Sequence, residues 1–298
     1  LTYKEQNIRR RVMDFFLSNL LNGISYGMIL FLIAAGMSIV MGVMGITNLA
    51  HGALYMVGAY VGWTVAVKLG LDFWLAAVAG GIAGGLIGLL MERVFLKQLY
   101  KQVNEQVLLT YGFVYILTNI CIWIWGGRYR LQFTAPYIFG SVDLGDFSFP
   151  LTRIVITGLG FIIAASLWYL QNKTRIGAIV RAGMDDKEMI QGLGINLNVV
   201  VMLVFFIASF IAGFAGVIGA QLLSTYPGIG LDVLLQALVV IIVGGVGSIQ
   251  GALLGGLLIG LIDTFGKALF PGLAMFTIYL AMIVVLLFKP SGLLGRKV

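Results

Sequence analysis

Three stretches of this chain carry no Asp, Glu, Lys or Arg: Phe15 to Val67, Met189 to Leu231 and Val233 to Ile262. Each exceeds the roughly 20 apolar residues that take a helix across the hydrocarbon core of a bilayer. With 60% hydrophobic and 10% charged residues, a water-soluble fold would have too little polar surface to cover itself. Lipid is therefore the solvent for most of the chain. A cleaved secretory leader would be short, single and N-terminal, whereas these segments recur throughout, so a processed soluble protein is excluded.

Backbone groups in lipid must be satisfied within their own segment, and the apolar runs lack the alternation of barrel strands. The sequence thus predicts an all-α fold: a polytopic transmembrane helix bundle of eight to ten spans, with broken or re-entrant helices. Spans are expected near residues 16–42, 50–67, 73–91, 106–126, 151–170, 199–222, 232–246, 251–267 and 272–288.

Three connections are basic and by the positive-inside tendency face the cytoplasm. They hold Arg93, Lys97 and Lys101; Lys173, Arg175, Arg181 and Lys187; and Lys289, Arg296 and Lys297. The loop from Gly127 to Pro150, with Asp143 and Asp146 beside Arg128 and Arg130, then falls outside. Five spans before the loop at 171–198 put the N-terminus outside, yet Arg9, Arg10 and Arg11 would prefer the inside. Either residues 1–12 are an extension preceding a native start at Met13, or the region around Asn48 is re-entrant. The first is preferred, leaving 13–298 as a single transmembrane domain with a cytoplasmic loop at 171–198.

The net charge of +7 resides in short loops, where it orients helices, so nucleic acid is not an expected partner. Cys121 and His51 are the only residues of their kinds, too few for a disulfide framework, a zinc cluster or a histidine-based hydrolytic pair. No metal site, catalytic set or bound cofactor is expected. The glycine run Gly244-Gly245-Val246-Gly247-Ser248 lacks the Gly-Lys-Ser/Thr ending that would meet nucleotide phosphates, so any ATP hydrolysis belongs to another subunit. The spans also lack the sets of intramembrane ionisable residues typical of ion-coupled carriers, which speaks against a stand-alone secondary transporter.

Glycines mark close helix approaches: Gly80, Gly84 and Gly88 share a face, as do Gly81 with Gly85, and Gly247, Gly251 and Gly255. Packing within one chain is the expected use. Gly45 with His51-Gly52-Ala53-Leu54 is echoed by Gly244 with Gln250-Gly251-Ala252-Leu253, 199 residues on. Both places interrupt long apolar stretches, as broken helices along a transport path do. Asn48 and Gln250 are candidate path residues because an amide at membrane depth needs partners and can offer them to a passing solute. Gly52, Tyr60 and Gln221 are weaker candidates, and His51 is read either as a fixed structural histidine or as pore lining. Asp232, Asp263 and Lys267, at the ends of apolar runs, are expected to snorkel to an interface.

The segment Lys173 to Leu197 differs from the rest, mixing Arg175, Arg181, Asp185 and Lys187 with Gly177, Gly192 and Gly194. It reads either as a solvated loop or as a short helix that docks into a soluble partner. Here the chain resembles the permeases of branched-chain amino acid importers of the ATP-binding-cassette class. The run Thr174-Arg-Ile-Gly-Ala-Ile-Val-Arg-Ala182 followed by Gly194-Ile195 looks like their cytoplasmic coupling loop. Asn48-Leu49-Ala50-His51-Gly52, Gly58-Ala59-Tyr60, Glu92-Arg93, Gly244 to Gly251 and Pro290 to Arg296 are similar to other landmarks in the same order.

The resemblance implies a permease subunit of the bacterial cytoplasmic membrane, itself no enzyme. It implies a second related permease, two cytoplasmic ATPase subunits and an extracytoplasmic solute-binding protein as partners. It also implies an ATPase-coupling role for Arg175, Gly177, Arg181, Ala182, Asp185, Gly194 and Ile195 on a cytoplasmic coupling helix. Branched-chain amino acids are the expected solutes, with urea or short-chain amides as the alternative. Many relatives have Met-Ala before the loop's Gly-Ile where this chain has Met189-Ile190, which bears on the identity of the ATPase partner.

Overall fold

The computed structural model describes residues 3–45, 48–100, 102–144, 147–185, 192, 194 and 196–295. Ten α-helices lie among them: α1 (Tyr3–Met44), α2 (His51–Trp63), α3 (Phe73–Val94), α4 (Val103–Trp125), α5 (Leu151–Lys173), α6 (Arg175–Asp185), α7 (Leu197–Gly219), α8 (Ile229–Gly244), α9 (Ile249–Leu269) and α10 (Thr277–Phe288). Six of them, α1, α3, α4, α5, α7 and α9, are long and apolar enough to cross a membrane, and α8 and α10 are shorter apolar helices. With α2, extended by a π-helical turn at Thr64–Lys68, they make nine apolar helices, read here as traverses, each overlapping one of the nine expected spans.

Taking the basic α5–α7 connection as cytoplasmic, α1 runs inward, α2 outward, and the alternation continues to an inward α10. α1 is unbroken from Tyr3, so residues 3–12 prolong a membrane helix on the outer side. With that connection taken as cytoplasmic, the five apolar helices before it put the start of α1 on the outer side, the side that Arg9 to Arg11 do not favour.

Helix ends follow local chemistry. Asp72 caps α3 by accepting the Trp74 N–H (2.8 Å), Asn196 caps α7 through Asn198 N–H (3.1 Å), and Ser248 Oγ caps α9 through Gly251 N–H (2.9 Å). α8 ends at Gly245, whose φ of 107° stops the helix and lets the chain reverse. The outer loop contains one short antiparallel hairpin, Ser141–Leu144 with Phe147–Pro150, in register Val142 to Phe149. That element was not foreseen in an all-helical reading.

The glycine faces are used within the chain. A Cβ on Gly84 would stand 2.7 Å from the Ser209 carbonyl oxygen, so α3 and α7 touch backbone to backbone, while the Phe206 and Phe210 rings fill the notches at Gly85 and Gly81. α1 and α9 meet in the same way, with Gly27 facing Gly256. The core lies around residues 28–37 of α1, which α5, α7, α8 and α9 enclose. Cys121 is buried among apolar neighbours.

Candidate functional site

α6 is too short and too polar to span. Thr174 Oγ1 accepts the Gly177 N–H (3.2 Å) and donates to the Leu170 carbonyl (2.5 Å), turning the chain sharply off the inner end of α5. Gly177 sits in the crook: a Cβ there would lie 2.6 Å from the Gln171 carbonyl carbon and closer still to the Gln171 and Leu170 oxygens. Val180 packs with Val204 of α7 and Ile39 of α1, over an apolar void of about 40 Å³ that Leu167 and Ile207 also line. Arg175 is exposed and Arg181 half-buried. The backbone carries α6 through Ala182 to Asp185, and Gly194 adopts φ 77°. Ile195 lies outside the described residues.

Beside α6 an inner-face cavity of about 780 Å³ is lined by Gln171, Asn172, Arg181, Ser248, Gln250 and Ser291. Gln250 is thus exposed at the inner face and not at membrane depth, which corrects the expectation drawn from the echo with Asn48. The two interruptions do correspond, since each reverses the chain on the inner side, and Gly42 at the end of α1 lies against Gly247 of the α8–α9 turn. They differ in depth because α9 starts directly after its turn. α2 begins at His51, whose ring lies at Gly36, about two turns before the end of α1, so α2 starts deep among the helices as a broken helix.

At that start Asn48 is buried, its Oδ1 accepting Ala50 N–H (3.0 Å), while Leu49 N–H donates to Thr110 Oγ1 (3.2 Å). Asn48 Nδ2 has no partner among the described residues. The His51 ring is buried against Gly36, with Cε1 and Nε2 3.0 Å from where a Cβ would be, and its Nε2 has no partner among the described residues. Gly52 forms the crossing point of α2 and α8 at Gly230. Tyr60 is buried and stacked on Trp125 (5.2 Å between centroids), whose Nε1 donates to Thr64 Oγ1 (2.6 Å). These four are packed between helices and face no described cavity.

The outer face has two neighbouring cavities. One of about 700 Å³ is lined by Gln132, Phe133, Thr152, Arg153, Gln221 and Leu222. The other, about 420 Å³, is lined by Asn22, Tyr26, Arg153, Leu222, Asp263 and Lys267. Gln221 is 4% exposed, and neither amide atom has a partner among the described residues. The path candidates therefore do not converge: Asn48, His51 and Gly52 lie deep, Gln221 at the outer face and Gln250 at the inner.

Asp263 does not snorkel. It is 5% exposed and paired with Lys267 at 2.5 Å, whose ammonium also sits over the Tyr26 ring. Arg130 is held by the Trp125 carbonyl, the Trp63 ring and a backbone bridge to Thr225, which ties the outer loop down. Asp72, at the outer mouth, accepts the Tyr137 hydroxyl proton (2.6 Å). That bond and the Trp74 N–H hold its carboxyl below the usual range, and the same Asp72 bond pushes Tyr137 up to about 12.

Glu92, part of a landmark in the sequence, is fully buried and accepts the Tyr100 hydroxyl proton. One polar residue escaped the sequence reading. Arg153 fell inside the span expected at 151–170, and a cation within a span is by itself a pointer to function.

Residues 19–286 match the family described as "Branched-chain amino acid transport system / permease component". The high-affinity branched-chain amino acid transport system permease protein BraD of Pseudomonas aeruginosa is 32% identical, the alignment covering 94% of this chain and 96% of that one. LivH of Escherichia coli, a permease of the same description, is 30% identical over 95% and 96%. Among solved structures, a chain of PsaBC from Streptococcus pneumoniae in complex with Fab superposes with a TM-score of 0.51 at 13% identity, covering 93% of this chain and 91% of that one. That likeness concerns the fold alone.

Proposed function

The chain belongs to the family of branched-chain amino acid transport system permease components, and from that premise we propose how it works with its partners. It is a multi-pass permease subunit of the inner membrane, not an enzyme. In the proposed assembly two cytoplasmic ATPase subunits supply the energy, a second related permease completes the path, and an extracytoplasmic binding protein delivers the solute.

The observation that carries this reading is α6. It is a surface helix on the cytoplasmic side, wedged by Gly177 against the end of α5 and resting on α1 and α7 through Val180. A partner gripping α6 would pull on three traverses at once. Arg181 belongs both to α6 and to the wall of the inner cavity, so the same pull reshapes that cavity. Arg175, Gly177, Arg181, Ala182, Asp185, Gly194 and Ile195 form the proposed coupling segment. Solute passes between the outer cavities and the inner one, with the broken start of α2 at Asn48 as the element that rearranges. Gln221 and Gln250 stand at the two ends of this path, and His51, Gly52 and Tyr60 hold α2 in place.

The test is co-expression with the ATPase and permease genes of the same system, purification as one complex, and uptake into proteoliposomes. ATP-dependent uptake of a branched-chain amino acid that needs all subunits supports the proposal. Uptake by this chain alone without ATP refutes it.

A further inference from the structure

We infer that the outer cavities form a reception site for the carboxylate of an amino acid, held by Arg153 and oriented by the Gln221 amide. This rests on the importer reading above and narrows its solute class. Arg153 and Leu222 line both cavities, so the guanidinium stands between them. Among the described residues the acidic group lining this site, Asp263, is already engaged with Lys267 at 2.5 Å, and no acidic side chain is paired with Arg153. The site therefore carries one positive charge in excess, in a half-buried setting where its interaction with an anion is screened less than in bulk water.

Gln221 adds a second, independent sign of a ligand. It is 96% buried by its 4% exposure, lines the larger cavity, and has neither its carbonyl nor its amide group engaged among the described residues. A buried amide with no partner is costly, and a passing solute would relieve that cost. Guanidinium forks match carboxylates in two parallel hydrogen bonds. The amide can donate to the same carboxylate or accept from the solute's ammonium. Phe133 and Leu222 give the cavity apolar wall against which a branched side chain can rest. Volumes of about 700 and 420 Å³ exceed many times the ~30 Å³ share of one water molecule. Urea and neutral amides offer no carboxylate and would leave Arg153 unmatched.

The test uses the complete transporter in proteoliposomes, with radiolabelled L-leucine and a titration of solute-binding protein. Arg153→Gln is expected to lower maximal uptake by about tenfold or more, the scale of one lost charge-assisted hydrogen bond, with the half-saturating binding-protein concentration unchanged. Arg153→Lys should retain more uptake than Arg153→Gln. Should Arg153→Gln fail to assemble, Gln221→Glu serves instead, since it sets a like charge beside the carboxylate and should lower maximal uptake in an assembled complex. Wild-type uptake in either assembled variant overturns the inference. So does a loss seen only as a raised half-saturating binding-protein concentration, which would make Arg153 a docking contact. A wild-type transporter that imports no L-leucine under ATP overturns the importer reading itself, and the inference with it.

Discussion

Replacing Gly177 by Ala isolates the contact that seats α6. The new Cβ would lie 2.6 Å from the Gln171 carbonyl carbon, where carbon atoms need ~3.5 Å, so α6 must retreat by roughly 1 Å. Overpacking of this kind typically costs about 1–3 kcal/mol. If the seated position of α6 is what links ATPase movement to the traverses, that cost biases the coupled state by roughly 5- to 150-fold. The assay is the ratio of leucine taken up to ATP hydrolysed in proteoliposomes, with complex assembly checked by gel filtration. Hydrolysis is expected to persist while the ratio falls by at least about fivefold. Gly112, which has nothing within 4 Å of a built Cβ, provides the control as Gly112→Ala. A normal ratio in assembled Gly177→Ala refutes the coupling role of this contact.

Gly84→Leu, whose Cβ alone would stand 2.7 Å from the Ser209 carbonyl, should separate α3 from α7 and cost more than about 3 kcal/mol; loss of the monodisperse complex in detergent checks it, with Gly112→Ala unaffected. Asn48→Leu removes the acceptor of Ala50 N–H at the broken start of α2, and should slow uptake several-fold while the complex still assembles; unchanged uptake would remove Asn48 from the path. The Asp72–Tyr137 bond predicts a pH dependence of outer-mouth stability. Because the folded Asp72 pKa is depressed, its contribution is present above the unfolded carboxylate value and lost as pH falls through the folded one. Because the folded Tyr137 value is raised to about 12, its contribution is present below the unfolded tyrosine value and lost as pH rises through about 12. Tyr137→Phe should therefore melt below wild type at neutral pH, with the gap closing in acid; a pH-independent gap would contradict the assignment.

The all-helical fold and the places of the apolar helices were legible in the sequence, because membrane insertion is decided by composition summed over a window of about 20 residues. The uncharged run from Phe15 to Val67 alone demanded lipid. The glycine repeats at 80, 84 and 88 announced close helix contact, because a missing Cβ is a local property. The family landmarks from Asn48 to Arg296 carried the function.

Depth and partnership were not legible, since they depend on which helix faces meet. Asn48 and Gln250 occupy matched places in the echo, yet one is buried and the other lines the inner cavity. The difference is that α2 starts at the level of Gly36, well before the end of α1, whereas α9 starts directly after the turn that ends α8. His51 reads first as a fixed structural histidine and second as pore lining, and the fold seats its ring against Gly36. Asp263 reads as a free interfacial charge in the sequence, whereas the fold buries it and pairs it with the exposed Lys267 one helical turn later at the outer cavity. Arg153 was one more residue of an expected span until two cavities were found to share it. Segment hydrophobicity is additive along the chain and so determined which residues enter the membrane. Which polar groups meet a solute there is a property of contacts between distant segments, and only the packed structure decided it.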